Sequence, residues 1–240
     1  MVSLLKLPND ASAGLSNFTP FTTGSELIER RKTKRGVTGT RVRYWADPQI
    51  FLADAEFSHR QLTDRARQTS FLVPGLRIGL TDKRRIPGTP GETATHTETF
   101  LYSGGITEFV DYLAPDQAVT DTWRLQGTGT FTETVPVLDD AGHMVPTEVE
   151  RDCEVDIALR WGTGYDAVQR SFVNIIATPK GGTHVAGFEQ ALLKVVRKQV
   201  EANSRKLKPG KDKVEKDDAL AGLTAVVTVR LAEPQFEGQT

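Results

Sequence analysis

Four histidines, His59, His96, His143 and His184, a single cysteine, Cys153, and two glycine-rich turns are the features of this 240-residue sequence whose chemistry could reach beyond folding. The histidines lie far apart, and none stands in an HxH or HExxH arrangement. Zinc takes close-spaced ligand sets more often than scattered ones, so no metal site is expected. Cys153 has no partner in the chain, which excludes an internal disulfide, a CxxC redox pair and a cysteine zinc cluster together. No GxSxG elbow raises a serine above the background for nucleophilic catalysis. The pairs Asp139-Asp140 and Asp217-Asp218 occur where turns and helix starts favour aspartate, so local capping is their expected role.

Gly162-x-Gly164-x-x-Ala167 follows the stretch EVDIALRW and has the outline of a dinucleotide fingerprint. Such a fingerprint must open a helix, whose free N–H groups hold the pyrophosphate, whereas the residues that follow here alternate like a strand. A hairpin turn in which glycine supplies positive φ is the expected structure. Gly181-Gly182-Thr183-His184 does sit between a strand and a helix, where exposed N–H groups could receive an anion. No Walker lysine is present, and Thr183 acting as a simple N-cap accounts for the sequence.

Between residues 194 and 216, nine Lys/Arg face three acidic residues. Cations at a helix C-terminus are favourable in themselves, so a solvated face is the default. The functional reading is contact with a nucleic-acid backbone, without sequence selectivity, through Arg197, Lys198, Arg205, Lys206 and Lys208.

Positioning these groups requires a folded scaffold, and the composition supplies one: 38% hydrophobic residues, 30 basic against 31 acidic, a net charge of -1. A core can be built, and one large or two modest domains are expected. The charge balance argues against a surface that is all nucleic-acid footprint. No apolar run approaches a membrane span, so the protein is expected in the cytoplasm. Residues 1–35 are turn-rich and polar, and are not expected to pack as a unit. RVRYW (41–45) reads as a strand. Ser58 is placed to cap a helix with Leu62, Ala66 and Thr69 on one face, stopped by Pro74-Gly75. Two strands, 76–82 and 95–103, joined by a Pro/Gly-rich loop, precede a short helix at 106–113. Strands at 131–138, 154–161 and 166–178 form a meander with turn chemistry between them. A helix at 185–200 carries the stripe Phe188, Leu192, Val195, Val196. Asp217 or Asp218 caps a short helix, and AVVTVRL (225–231) has the continuous apolar character of a strand buried on both faces. Strand, helix and strand in that order predict a right-handed βαβ crossover.

Taken in order, GTRVRYWADPQIF (39–51), RARQTSFLVPGLRIGLTDKR (65–84), YSGGITEFVDYL (102–113), NIIATPKGGTHVAGF (174–188) and EPQFEGQT (233–240) resemble the B subunits of bacterial type IIA topoisomerases, DNA gyrase and topoisomerase IV, of actinobacterial type. The resemblance covers residues 34–240 and leaves out 1–25. It implies an α+β fold in which a partial GHKL ATPase sandwich, residues 36–115, precedes a ribosomal-S5-like transducer with a βαβ crossover, residues 116–240. It also implies the family's chemistry. ATP and Mg²⁺ are the cofactors, and the partners are DNA, the A subunits of the topoisomerase and a second copy of the B subunit.

Carried over residue by residue, the resemblance implies that Thr40 helps to fix adenine through a water and that Val42 lies near the same ring. Gln239 matches the glutamine of the QTK loop that reaches the γ-phosphate. The lysine of that loop, the general-base glutamate, the Mg²⁺-binding asparagine, the glycine-rich lid and the TOPRIM domain have no counterpart here. The chain by itself is therefore expected to be truncated and inactive, with Phe71, Leu72 and Val73 exposed for want of a covering core. The alternative is a non-catalytic S5-like module that binds DNA or a partner copy of the B subunit.

Overall fold

The computed structural model describes residues 39, 42, 49–52, 55–84, 96–138, 142–210, 213–234 and 236. The chain divides into two units, Met1–Glu56 and Phe57–Thr240, and all regular elements among the described residues lie in the second. The strand expected at 41–45 falls largely outside the described residues. No described helix is long and apolar enough to cross a membrane.

Helix α1 (His59–Leu72) begins where Ser58 predicts: the Ser58 hydroxyl accepts from the Gln61 N–H at 3.3 Å. Its inward face differs from the one expected. Thr63, Ser70, Phe71 and Leu72 are buried, while Leu62 is exposed. Strands β1 (Ile78–Asp82) and β2 (His96–Phe100) pair antiparallel as expected. Helix α2 (Ile106–Leu113) starts after Gly105, whose φ of 64° is one that a side chain rarely adopts. A Cβ there would also meet the Pro74 ring at 2.7 Å, so two constraints select glycine at one position.

A five-stranded mixed sheet follows, in the order β3-β4-β7-β5-β6. Strands β3 (Trp123–Leu138) and β4 (Met144–Trp161) are longer than their sequence signals, because they continue as a two-stranded ribbon beyond the residues where β4 pairs with β7. The stretch 166–178 is not one strand. It breaks into β5 (Val168–Val173) and β6 (Ile176–Ala177) at Asn174 and Ile175, both at positive φ. Asn174 holds this turn against β7 (Leu223–Leu231), donating through Nδ2 to the Leu231 carbonyl at 2.7 Å and accepting from the Leu231 N–H at 3.0 Å.

Strand β7 runs parallel to β5 and antiparallel to β4, and most of its side chains are buried. Alternation sends Val226 into one core cluster and Ala225 and Val227 into another. Helix α3 (Thr183–Ala202), the short helix α4 (Ser204–Leu207) and α5 (Lys216–Leu220) connect β6 to β7. Phe188 of α3 joins Leu159, Leu223, Ala225 and Val227, with Leu192 packed against them. The other cluster unites Phe71 and Leu72 of α1 with Ile106, Phe109 and Val110 of α2 and Phe172 and Val226 of the sheet. Phe71 and Leu72 are thus 1% and 5% exposed, contrary to the expectation that they lack a cover: α2 and the sheet supply it.

Candidate functional site

The basic surface is assembled by the end of α3, by α4 and by the loop that follows. Asn203 closes α3, its Nδ2 donating to the Gln199 carbonyl at 2.8 Å, and the chain re-enters a single turn of helix carrying Arg205 and Lys206. Lys208 ends that turn in the left-handed conformation, at φ 47°. Arg197 is engaged: its Nε donates to the Val214 carbonyl at 2.7 Å, and its guanidinium lies 3.8 Å from Glu215. Lys216 reaches Glu189 at 3.1 Å and ties α5 to α3. Lys198, Arg205, Lys206 and Lys208 are exposed and have no ion-pair partner among the described residues. Four cations within eleven residues, on a helix end and without an ion-pair partner among the described residues, form a surface suited to phosphate groups. The cap of α5 is Glu215, not Asp217 or Asp218 as expected; Asp218, inside the first turn, completes a capping box by accepting from the Glu215 N–H at 2.8 Å.

Beside this surface lies an apolar groove of about 1070 Å³, between α3 and strands β3 and β4. Trp123, Leu125, Ile157, Leu192 and Val196 line it, and Lys206 and Leu207 reach it from α4. The groove explains why the stripe of α3 is only partly covered: Phe188 is buried, Leu192 half-buried, and Val195 is 56% exposed.

The first glycine motif is structural, for a reason that differs from the expected one. Gly162 and Gly164 connect β4 to β5, and no helix follows them. Since β7 lies between those two strands, the turn is not a hairpin. Neither glycine is among the residues at positive φ. A Cβ on either would collide with the Asp116 carboxylate, which accepts from the Gly164 N–H. Close approach, not backbone conformation, selects glycine here. At the start of α3 the N-cap is Gly182, not Thr183, and no side chain caps the helix.

Thr40 and Gln239 lie outside the described residues. Val42 is described and is 80% exposed. Burial pushes the Cys153 thiol up from its ordinary value, which disfavours a thiolate nucleophile. The histidines regroup: His59 and His96, 37 positions apart in sequence, meet with their rings 5.0 Å apart beside Glu98. Separation along the chain concealed this proximity, which depends on α1 packing against the β1–β2 hairpin.

Comparison with known proteins gives a consistent picture. The family model for DNA gyrase B matches residues 105–240. The novobiocin-sensitive DNA gyrase B subunit of Streptomyces niveus is 35% identical over 218 residues, covering 85% of this chain and 29% of the relative. The DNA gyrase B subunit of Streptococcus pyogenes is 37% identical over 204 residues, covering 85% of the chain and 27% of the relative. The chain therefore spans under a third of the length of these curated relatives. Among solved structures, the 43K ATPase domain of Thermus thermophilus gyrase B, in complex with an aminocoumarin, superposes with a TM-score of 0.57 at 26% identity, over 80% of this chain and 44% of that one.

Proposed function

The chain belongs to the DNA gyrase B family, and on that premise we propose that it forms the ATPase–transducer region of an ATP-dependent type II DNA topoisomerase, an isomerase that passes one duplex through another. The observation that carries this reading is β7, held between antiparallel β4 and parallel β5 and crossed by α3, within the segment matched by the family. Residues 36–115 are read as the end of the ATPase domain and 116–240 as the transducer. Thr40 and Val42 are assigned to the adenine side and Gln239 to the γ-phosphate.

Phosphoryl transfer requires metal, lysine and backbone donors to stabilise developing charge, and a base to orient water. In the complete family protein ATP and Mg²⁺ supply the substrate and the metal, while the A subunits and a second copy of the B subunit complete the machine. Thr40, Val42 and Gln239 are the positions of this sequence that the resemblance maps onto that machinery. The contribution we read from its own surface is contact with the DNA backbone through Arg197, Lys198, Arg205, Lys206 and Lys208. The four cations without ion-pair partners among the described residues favour that role.

The test is fluorescence anisotropy of the chain with a labelled duplex across a NaCl series, alongside a phosphate-release assay. Weak, sequence-independent binding is expected, with a log–log salt slope of about -3 to -4 if four phosphates are neutralised. Replacing Lys198, Arg205, Lys206 and Lys208 together by Ala should abolish it, and no ATP turnover should be seen. Binding that withstands high salt, binding indifferent to the fourfold variant, or turnover lost on Gln239→Ala would overturn the reading.

A further inference from the structure

We propose that His59, His96 and Glu98 form a binding site for one divalent transition ion of the zinc type, clamping the start of α1 to the β1–β2 hairpin. The three donor atoms come from different elements. His59 is the first residue of α1, and His96 and Glu98 stand two apart on β2, so their side chains share a face of the hairpin. Glu98 Oε1 lies 2.7 Å from His96 Nε2 and 3.7 Å from His59 Nε2, and one donor atom from each residue falls within 4.8 Å of the others. With bonds of about 2.0–2.2 Å, the donors of a tetrahedral zinc ion stand roughly 3.3 Å apart. The observed spacings straddle that value, and small side-chain rotations would bring them to it.

The surroundings orient His59 as a ligand. Asp82 sits directly across from His96 in the hairpin register, and its carboxylate lies 3.1 Å from His59 Nδ1. A proton on Nδ1, donated to Asp82, leaves the Nε2 lone pair facing Glu98 and His96, the arrangement by which an outer carboxylate orients a metal-bound imidazole. Asp82 is committed to that role. Arg84 grips it through Nε at 3.0 Å and Nη2 at 2.6 Å, which fixes the carboxylate in place. Glu98 turns the same oxygen, Oε1, toward both histidines. Arg67 stands 3.9 Å from Glu98. Two arginines, Arg84 and Arg67, thus stand beside the two carboxylates.

Thr63 Oγ1 lies 3.4 Å from His59 Nε2, a long contact whose loss on metal binding costs little. The side chains of His59, His96 and Glu98 are 34%, 48% and 31% exposed, which leaves an entry path and a fourth position for water. Imidazole and carboxylate donors suit zinc, with copper and nickel as chemical neighbours.

The experiment uses the full chain stripped with EDTA, titrated with ZnCl₂ by calorimetry and with CoCl₂ by visible absorption. One ion per chain is expected, with the intense bands of four-coordinate cobalt and a raised melting temperature. His96→Ala and Glu98→Ala should each weaken binding at least about tenfold, and Asp82→Asn by about 10- to 100-fold, the range for an outer-shell partner. His143→Ala and Cys153→Ala should leave it unchanged. Circular dichroism verifies folding, and if His59→Ala disturbs α1, the two β2 variants carry the test. Absence of binding to the folded wild-type chain would reduce the cluster to an ion-pair network and overturn the proposal. Equal affinity in His96→Ala and the wild type would do the same by placing the ion elsewhere.

Discussion

The ring of Phe109 stacks on that of Phe71, with centroids 4.7 Å apart and planes 7° from parallel, and lies 6.1 Å from Phe172 of the sheet. This contact joins α1, α2 and the five-stranded sheet in one core. Phe109→Ala should therefore cost about 3–5 kcal/mol, as for a buried aromatic. Lys198→Ala, on the exposed side of α3, should stay within about 0.5 kcal/mol. Urea unfolding of the two variants measures both. Near-equal midpoints would mean that Phe109 is not part of the core.

Elements whose signal is local were legible in the sequence. The hydroxyl of Ser58, the span of α2 and the doubly buried β7 follow from capping chemistry and from the apolar pattern. Features set by a distant partner were not. Ile175 sits at φ 65°, a conformation that β-branched residues avoid, so no local signal predicts the break between β5 and β6; Asn174 bonding to Leu231 enforces it. The reason for glycine at 162 and 164 is Asp116, more than 40 positions away. Thr63 and Ser70 turn inward on α1 in place of Leu62, because the neighbours that pack against the helix decide which face is buried. Of the candidate site, the basic residues were found as a composition bias, but the engagement of Arg197 by Val214 and Glu215 was not visible, nor was the meeting of His59 with His96.

Asp116 and the two glycines should behave as one unit. Gly162→Ala places a methyl group on the Asp116 carboxylate and should destabilise the chain. In an Asp116→Gly background the same substitution should cost less. A double-mutant cycle is expected to give a coupling of about 0.5–3 kcal/mol, the range for groups in contact. Additive costs would show that the two sites do not touch.

His184 gives stability a pH dependence of defined sign. Its Nε2 lies 3.1 Å from Thr178 Oγ1, which is itself 2.7 Å from Ser171 Oγ, and burial lowers its pKa below the ordinary value. The folded state therefore favours the neutral ring. Its contribution is complete above the unfolded value of about 6.5 and is lost as pH falls through the folded one. Melting temperatures recorded from neutral to mildly acidic pH should decline in the wild type and decline less in His184→Gln. Parallel profiles would place the titration in another group.

Parallel pairing of β5 with β7 is the feature on which the transducer reading depends most. Inter-strand nuclear Overhauser effects on isotope-labelled chain report it directly. The expected contacts place Ser171 opposite Val227 and Val173 opposite Val229 in the parallel pattern, and Ala158 opposite Val226 in the antiparallel one. An antiparallel pattern between residues 168–173 and 224–229, or no contact between them, would contradict the fold and the function drawn from it.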